Sequence, residues 1–350
     1  ILYSGLFLTR KYPNQGIFVL DQAKLLKKNN YKVDIISAGV KSVKNIFRED
    51  SYKKKEIING IKIFRNYKNN IIPFRYSKFN KIISKNIAQL TLSMFEKYIL
   101  NNDIPDIIHA QNIRFAAFGA YEIFKKYKIP YVITEHNSDV LQNIFPKNLY
   151  KQSRKIIKES SNFNTVSTGN MILLKKFFRI KKKISVINNL MPDFCQKKIN
   201  FKNKKKFFFL SVSRFDVNKN IETLIKAFIN KFRNFNAKLY IVGDGPLKSK
   251  LLKIIKKNKF ENKIFLLGNK NRKEIKTYYE NASCFILPSH KETFGLSLFE
   301  ALMFNLNVIT SRHFGYYELK KRKIKISSFN SKDLSQLENL LVNEYKKKTK

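Results

Sequence analysis

Apolar residues along this chain fall into short dense runs, separated by stretches in which they recur every three or four positions. The runs are rich in Ile, Phe, Val and Tyr and read as buried strands; the spaced stretches read as helices burying one face. In the first half this pattern predicts strands at Ile1–Tyr3, Lys32–Ser37, Lys62–Arg65, Asp106–Ala110, Tyr131–Thr134, Phe163–Val166 and Ile184–Ile187. Helical periodicity covers Ile17–Lys28, Lys78–Leu100, Phe115–Lys126, Lys151–Glu159 and Asn170–Phe178. A second series predicts strands at Phe207–Val212, Lys238–Val242, Lys263–Leu267, Cys284–Leu287 and Asn307–Thr310. Its helices are Ile221–Asn230, Leu247–Lys257, Lys273–Asn281 and Phe294–Phe304, and Ser331–Lys350 reads as one further amphipathic helix ending in lysines.

Alternation of strand and helix specifies a parallel sheet with helices on both faces, and here it happens twice. The expected fold class is α/β, with two doubly wound, Rossmann-like domains. Met191-Pro192 and the polar, Lys-rich stretch Lys197–Lys206 mark the boundary. The expected division is a first domain over 1–191, a linker over 192–206, a second domain over 207–330 and a terminal helix over 331–350 packing back toward the first domain. Such domains collect ligands at the carboxyl ends of their strands, so a cleft between the two is the expected site.

Composition narrows the choices. At 350 residues and 43% hydrophobic the chain can bury two cores, and disorder of the whole is excluded. The two cysteines, Cys195 and Cys284, provide neither a disulfide framework nor a zinc site, and no three of the four histidines have metal-ligand spacing. No apolar run reaches the length of a spanning helix, and the opening at Ile1 reads as a first strand without a secretory signal. A cytoplasmic protein is expected.

The net charge is +45, carried by 58 Lys and 12 Arg. Lys is spread evenly, whereas nucleic-acid readers favour Arg gathered in a patch. The abundance of Lys, Asn, Ile and Phe matches A/T-rich codons, so much of the charge reads as coding bias on solvated faces. Nucleic acid is not an expected partner; an anionic membrane surface is the partner the remainder suits. The stretch Lys78–Leu100, with Phe79, Ile82, Ile83, Ile87, Leu90, Met94 and Phe95 beside Lys78, Lys81 and Lys85, is either a domain helix or a contact with the inner face of the cytoplasmic membrane.

The segment from Ser289 to Leu302 carries the clearest chemistry. A strand ends in Ile286-Leu287-Pro288, a polar turn holds Glu292, and a helix then carries Glu300. The amides of Phe294, Gly295 and Leu296 are donors at the helix start, and Gly295 permits close approach of a ligand. Two carboxylates around such a helix start suit sugar hydroxyls beside a phosphate; a capping acid and a surface Glu is the competing structural account.

This segment resembles the Glu, seven residues, Glu signature of the retaining glycosyltransferases of group 1 (family 4), which have the GT-B fold. Ser213-Arg214-Phe215, Lys219 and Gly243-Asp244-Gly245-Pro246 follow in that family's order. Pro13 to Gly16, Ile108-His109-Ala110-Gln111 and Thr134-Glu135-His136-Asn137 match it in outline. The resemblance implies that Arg214 and Lys219 hold the donor diphosphate and that Glu292 contacts the transferred sugar. It also implies Glu300 at the nucleotide ribose, Gly16 at the diphosphate and His136 at the reacting face of the sugar. His109, Gly243 and Gly245 join Phe294, Gly295 and Leu296 as implied substrate-binding positions, while His290 and His313 are unassigned. The sequence departs from the family at Asn305 and Asn307, where a Gly and a Pro are usual, and at Gly315, the one glycine left in a loop before Glu318.

The implied activity is metal-independent transfer of a hexosyl group from a UDP- or GDP-sugar to a saccharide or lipid-linked saccharide, in surface polysaccharide or lipopolysaccharide assembly. No cofactor beyond the donor substrate is expected, and the chain has no Asp-x-Asp triplet to carry a metal. A non-catalytic glycan- or membrane-binding protein of the same fold is the alternative.

Overall fold

In a computed structural model of the chain, the described residues are 2–3, 16–42, 54–70, 79–192, 195 and 207–349. Ile1, Pro13, Lys78, the Lys197–Lys206 stretch and Lys350 lie outside them. The chain divides into two compact units, Ile1–Leu190 and Met191–Lys350.

The first unit runs β1 (Leu2–Tyr3), α1 (Ile17–Lys28), β2 (Ile35–Ser42), β3 (Lys55–Ile58), β4 (Ile61–Asn70), α2 (Asn80–Ile99), β5 (Ile108–Ala110) and α3 (Ala116–Tyr127). It continues through β6 (Tyr131–Glu135), α4 (Tyr150–Glu159), β7 (Asn162–Thr165), α5 (Thr168–Phe178) and β8 (Ile184–Val186). Its sheet has the order β3-β4-β2-β1-β5-β6-β7-β8. Every pairing is parallel except the hairpin of β3 with β4. The sequence pattern does not predict β3: it is four residues long, its sides alternate between exposed and half-buried, and it carries no continuous apolar run.

The second unit runs β9 (Phe208–Val212), α6 (Ile221–Lys231), β10 (Lys238–Val242), α7 (Lys248–Lys257), β11 (Ile264–Leu266) and α8 (Arg272–Asn281). It ends with β12 (Cys284–Leu287), α9 (Leu296–Met303), β13 (Asn307–Ser311), α10 (Phe314–Lys321), β14 (Ser327–Phe329) and α11 (Leu334–Thr349). The sheet is wholly parallel, in the order β11-β10-β9-β12-β13-β14. All four residues of β12 are buried, as a strand covered on both faces requires. On α6, Ile221, Leu224, Ile225 and Phe228 form one buried stripe at helical spacing. Asn271 and Glu274 cap α8 reciprocally in a capping box.

The terminal helix α11 packs on α6 and buries Leu337 and Leu341 in the core of the second unit. One expectation is corrected here. The stretch before Glu318 is not a loop but the start of α10, for which His313 is the N-cap, its imidazole accepting from the Tyr316 amide at 3.3 Å. The departures at Asn305 and Asn307 also find their reasons. Asn305 takes φ 51 at the end of α9, where its amide and that of Leu306 return to the carbonyls of Leu302 and Ala301. That is the left-handed helix ending usually given to glycine. Asn307 donates to Glu344 Oε1 on α11 at 2.5 Å, fastening the terminal helix to the start of β13.

Candidate functional site

In the second unit the chain leaves β9 toward β10 on one side, while β12 lies on the other, so the switch in winding falls between β9 and β12. Loops diverge there at the carboxyl ends of the strands and leave a ready place for a ligand. The segment after β9 carries Arg214 and Lys219, and the segment after β12 carries Ser289 and Glu292. The two segments are tied together: the His290 amide donates to the Asn218 carbonyl at 2.8 Å, and Asn218 Nδ2 donates to the Lys291 carbonyl at 2.8 Å. Asn220, at φ 54, donates through Nδ2 to the carbonyl of Pro288 at 3.2 Å.

The result is a contact between residues 73 positions apart: Lys219 Nζ donates to Glu292 Oε1 at 2.6 Å. Ser289 Oγ donates to the same oxygen at 2.8 Å, and Oε2 meets no donor among the described residues. Glu292 is buried. Burial alone would raise its carboxyl, but the Lys219 ammonium, with His313 nearby and the two hydrogen bonds, holds it below the usual carboxylate range. It is therefore an ionised acceptor at neutral pH, fixed on one oxygen and open on the other.

Gly295 heads α9 in the left-handed region, at φ 83, with no side-chain cap over the first-turn amides. A Cβ there would stand 3.3 Å from both His313 Cε1 and Leu287 Cδ2. His313 is buried, its Nε2 3.1 Å from Thr310 Oγ1, and burial lowers its pKa to about 4. A neutral imidazole thus sits beside Gly295 and Glu292. Glu300 lies apart from that pair; its Oε2 accepts from the Tyr279 hydroxyl at 2.9 Å. Arg214 points outward with its side chain 70% exposed, its Nε 3.9 Å from Asp216 Oδ2. The structure thus joins Lys219 to Glu292 and leaves Arg214 and Glu300 on other partners.

Gly243 and Gly245 have a structural reason to be glycine. A Cβ on Gly243, at φ 142, would lie 1.9 Å from the Ser213 carbonyl oxygen, and one on Gly245 would lie 2.4 Å from that of Phe215. They let the loop after β10 press against the loop after β9, where the Phe215 amide donates to the Asp244 carbonyl at 3.0 Å. That contact holds the backbone of Arg214 in place.

In the first unit, β1 and β5 flank the equivalent switch. Gly16, at φ 70, starts α1. Behind it a polar relay links three elements: His136 Nε2 donates to Gln111 Oε1 at 2.8 Å, and Gln111 Nε2 donates to Gln22 Oε1 at 2.8 Å. The Phe18 ring lies over His136 with centroids 4.4 Å apart, and burial pushes the imidazole down to about 3. His109 Nε2 lies 2.7 Å from Thr134 Oγ1 within the sheet, and burial lowers its pKa to about 4. That hydrogen bond ties half-buried His109 on β5 to Thr134 on β6. Glu135, next to His136, accepts from the amides of Ile113 and Asn137 at 2.8 and 2.6 Å, yet burial pushes its carboxyl up to about 8.

Sequence reasoning passes over Ser289, His313, Asn218, Asn220 and Tyr279. Polar crowding in the Asp216–Asn220 and Ser289–Lys291 turns is the one signal that marks some of them. His313 is invisible to capping rules because imidazole is not among the common N-cap side chains. Among the described residues no group of three His, Cys, Asp or Glu could hold a metal ion.

The chain is similar to known proteins over both units. Residues 15–191 match Glycosyltransferase Family 4, and residues 193–348 match Glycosyl transferases group 1. An uncharacterized glycosyltransferase of Methanocaldococcus jannaschii is 26% identical over 330 residues, 86% of this chain and 77% of its own length. The alpha-monoglucosyldiacylglycerol synthase of Acholeplasma laidlawii is 29% identical over 217 residues, 61% of this chain and 51% of its own. Among solved structures, HepE of Anabaena in complex with UDP and glucose superposes with a TM-score of 0.68 at 16% identity, over 99% of this chain and 90% of that one. With two doubly wound units and a match along both, this chain belongs to the group 1, family 4 glycosyltransferases of the GT-B fold.

Proposed function

We propose that the protein is a retaining glycosyltransferase, moving a hexosyl group from a UDP- or GDP-sugar to a saccharide or lipid-linked saccharide in surface polysaccharide or lipopolysaccharide assembly. The pair of half-buried Lys219 and buried Glu292, 2.6 Å apart at the winding switch and beside the uncapped head of α9, carries this reading. A leaving nucleoside diphosphate needs preorganised positive charge and donors. Lys219 and the amides of Phe294, Gly295 and Leu296 supply both without a metal. The open Oε2 of Glu292 accepts a sugar hydroxyl, which orients the anomeric carbon, and Lys219 moves from the carboxylate to the phosphate oxygens as the donor arrives. Arg214, exposed and weakly held, swings to the same diphosphate. Glu300 takes the ribose hydroxyls in exchange for the Tyr279 hydroxyl. In the first unit, Gly16 and His136, the latter a neutral group held by Gln111, are substrate-binding positions. The glycolipid named for the Acholeplasma relative supports a lipid-linked acceptor, and the UDP and glucose in the HepE complex support the donor class.

The test is release of free nucleotide across a panel of UDP-, GDP- and ADP-sugars, with the product anomer read by NMR. Replacing Lys219 with Ala, or Glu292 with Gln, is expected to lower turnover by about 10²–10³-fold, the usual cost of one transition-state donor. Unchanged turnover in either variant refutes the roles. Absence of any UDP or GDP affinity in the native protein returns it to a non-catalytic binder.

A further inference from the structure

The junction of β13 with α10 lies against the turn that joins β12 to α9. Thr310 Oγ1 donates to the Leu287 carbonyl at 3.1 Å, with the Ser311 carbonyl at 3.3 Å as its second neighbour, and Ser311 Oγ donates to the Ser289 carbonyl. Gly315 presses on the Phe294 carbonyl, since a Cβ there would stand 1.8 Å from that oxygen. His313 occupies the middle of this junction. Its Cε1 is an atom that a Cβ on Gly295 would meet at 3.3 Å and one on Gly315 at 3.1 Å. The two ring nitrogens have different partners. Nδ1 accepts from the Tyr316 amide at 3.3 Å and is therefore bare, which puts the proton of the neutral ring on Nε2. Nε2 then donates to Thr310 Oγ1 at 3.1 Å, and the Thr310 hydroxyl passes its own proton to the Leu287 carbonyl. The bonds run in one direction, from the start of α10 through the imidazole to the end of β12.

A helix start needs only an acceptor, which Ser or Asp supplies with a shorter side chain. Neither would cap α10 and reach Thr310 at once; imidazole does both, because its nitrogens lie on different edges of one rigid ring. Aspartate would also set a second anion beside Glu292. A protonated imidazole would lose the cap and offer Glu292 a cation in competition with Lys219. Burial, helped by the Lys219 charge, keeps the ring neutral against the pull of Glu292. We infer that His313 is a positioning residue for donor binding: through Thr310 and Leu287 it locks the turn that presents Glu292 and the amides of Phe294, Gly295 and Leu296 to the nucleoside diphosphate. The inference rests on the proposed use of those amides, and His313 acts through them rather than on the donor.

The test breaks the link from either end in the full chain. Thr310→Val removes the hydroxyl and keeps the branched strand side chain, while His313→Asn keeps an acceptor for the α10 cap but is too short to reach Thr310. Each is expected to weaken binding of whichever of UDP and GDP the native protein takes by about tenfold in calorimetric titration. The donor KM should rise by a similar factor with the acceptor KM unchanged. The double variant is expected to bind no more weakly than either single one, because both remove the same bond. Thr310→Ser, which restores the hydroxyl, should bind within about twofold of the native protein. A residue serving stability alone would lower the melting temperature of the variants and leave nucleotide affinity at the native value; that result overturns the inference, as do additive losses in the double variant. Hydrogen–deuterium exchange over residues 288–298 without nucleotide reads the turn apart from binding. It is expected to quicken by about tenfold in both single variants, and an unchanged rate also overturns the inference. Absence of UDP and GDP affinity in the native protein would remove the transferase reading, and the exchange rates alone would then decide for or against the locked turn.

Discussion

Glu292 can be both buried and charged because a single ammonium lies against it, and the neighbouring His313 is neutral because its burial, helped by the Lys219 charge, outweighs the pull of the Glu292 carboxylate. The pH dependence follows. A histidine whose folded pKa lies below its unfolded value takes its proton first in the unfolded chain. Its contribution to stability is complete above about pH 6.5 and drains away as pH falls toward 4. His109 and His136 act in the same sense, with folded values near 4 and 3. Glu135 acts in the opposite sense: raised to about 8, it favours the folded state below the ordinary carboxylate range and loses that contribution as pH climbs toward 8. Glu292, lowered, adds acid sensitivity only below the ordinary carboxylate range. Thermal unfolding is therefore expected to shift to lower temperature between pH 6.5 and 4. His313→Gln should flatten the profile by up to about 3 kcal/mol. A variant profile parallel to that of the native protein would contradict the neutral, buried state of His313. None of this was legible from the residue alone, since a histidine in a loop before Glu318 shows neither its burial nor its capping bond.

At the scale of elements, the strands and most helices were readable because each buries an uninterrupted apolar run or stripe. β3, β14 and α10 were not. β3 is half-exposed, β14 is Ser-Ser-Phe, and the buried side of α10 is Gly315, Glu318 and Leu319, so none presents an apolar run or stripe. The glycine loops show the same divide. Gly243 and Gly268 look alike in sequence, each following a strand of the second unit. Gly268, at φ 72, has open space where a Cβ would go, while Gly243 has a carbonyl oxygen 1.9 Å away. Gly268→Ala is expected to cost about 1 kcal/mol from backbone strain alone. Gly243→Ala should cost at least about 3 kcal/mol, through displacement of the Ser213–Phe215 loop, and lower activity along with stability. Chemical denaturation of the two variants side by side measures the difference; equal losses would mean that the loop contact is not what selects glycine at Gly243.

For the molecule as a whole, each unit has its own core, and α11 belongs to the second. Leu337 and Leu341 are fully buried there, Asn230 Nδ2 donates to Glu338 Oε1 at 2.7 Å, and Lys348 Nζ donates to the Ser283 carbonyl at 2.8 Å. Leu341→Ala is expected to destabilise by about 2–5 kcal/mol, and a chain ending before α11 should lose the cooperative unfolding of the second unit. Retention of that transition in the shortened chain would show α11 to be an accessory.

From its sequence alone the chain determined that strands and helices alternate, that they do so twice, and that cations and carboxylates fall in the turns after strands. Those features are local: hydrophobic periodicity and turn chemistry act over a few residues. Only the tertiary structure decided which turns meet. β9 and β12 are separated along the chain by two strand–helix units, and nothing local distinguishes β12 from β10 or β11 as the second neighbour of β9. Parallel pairing of Cys284 with Phe209 and of Phe285 with Leu210 makes that choice. Burial of both faces of the sheet then fixes the register, and Lys219 arrives against Glu292 as a consequence.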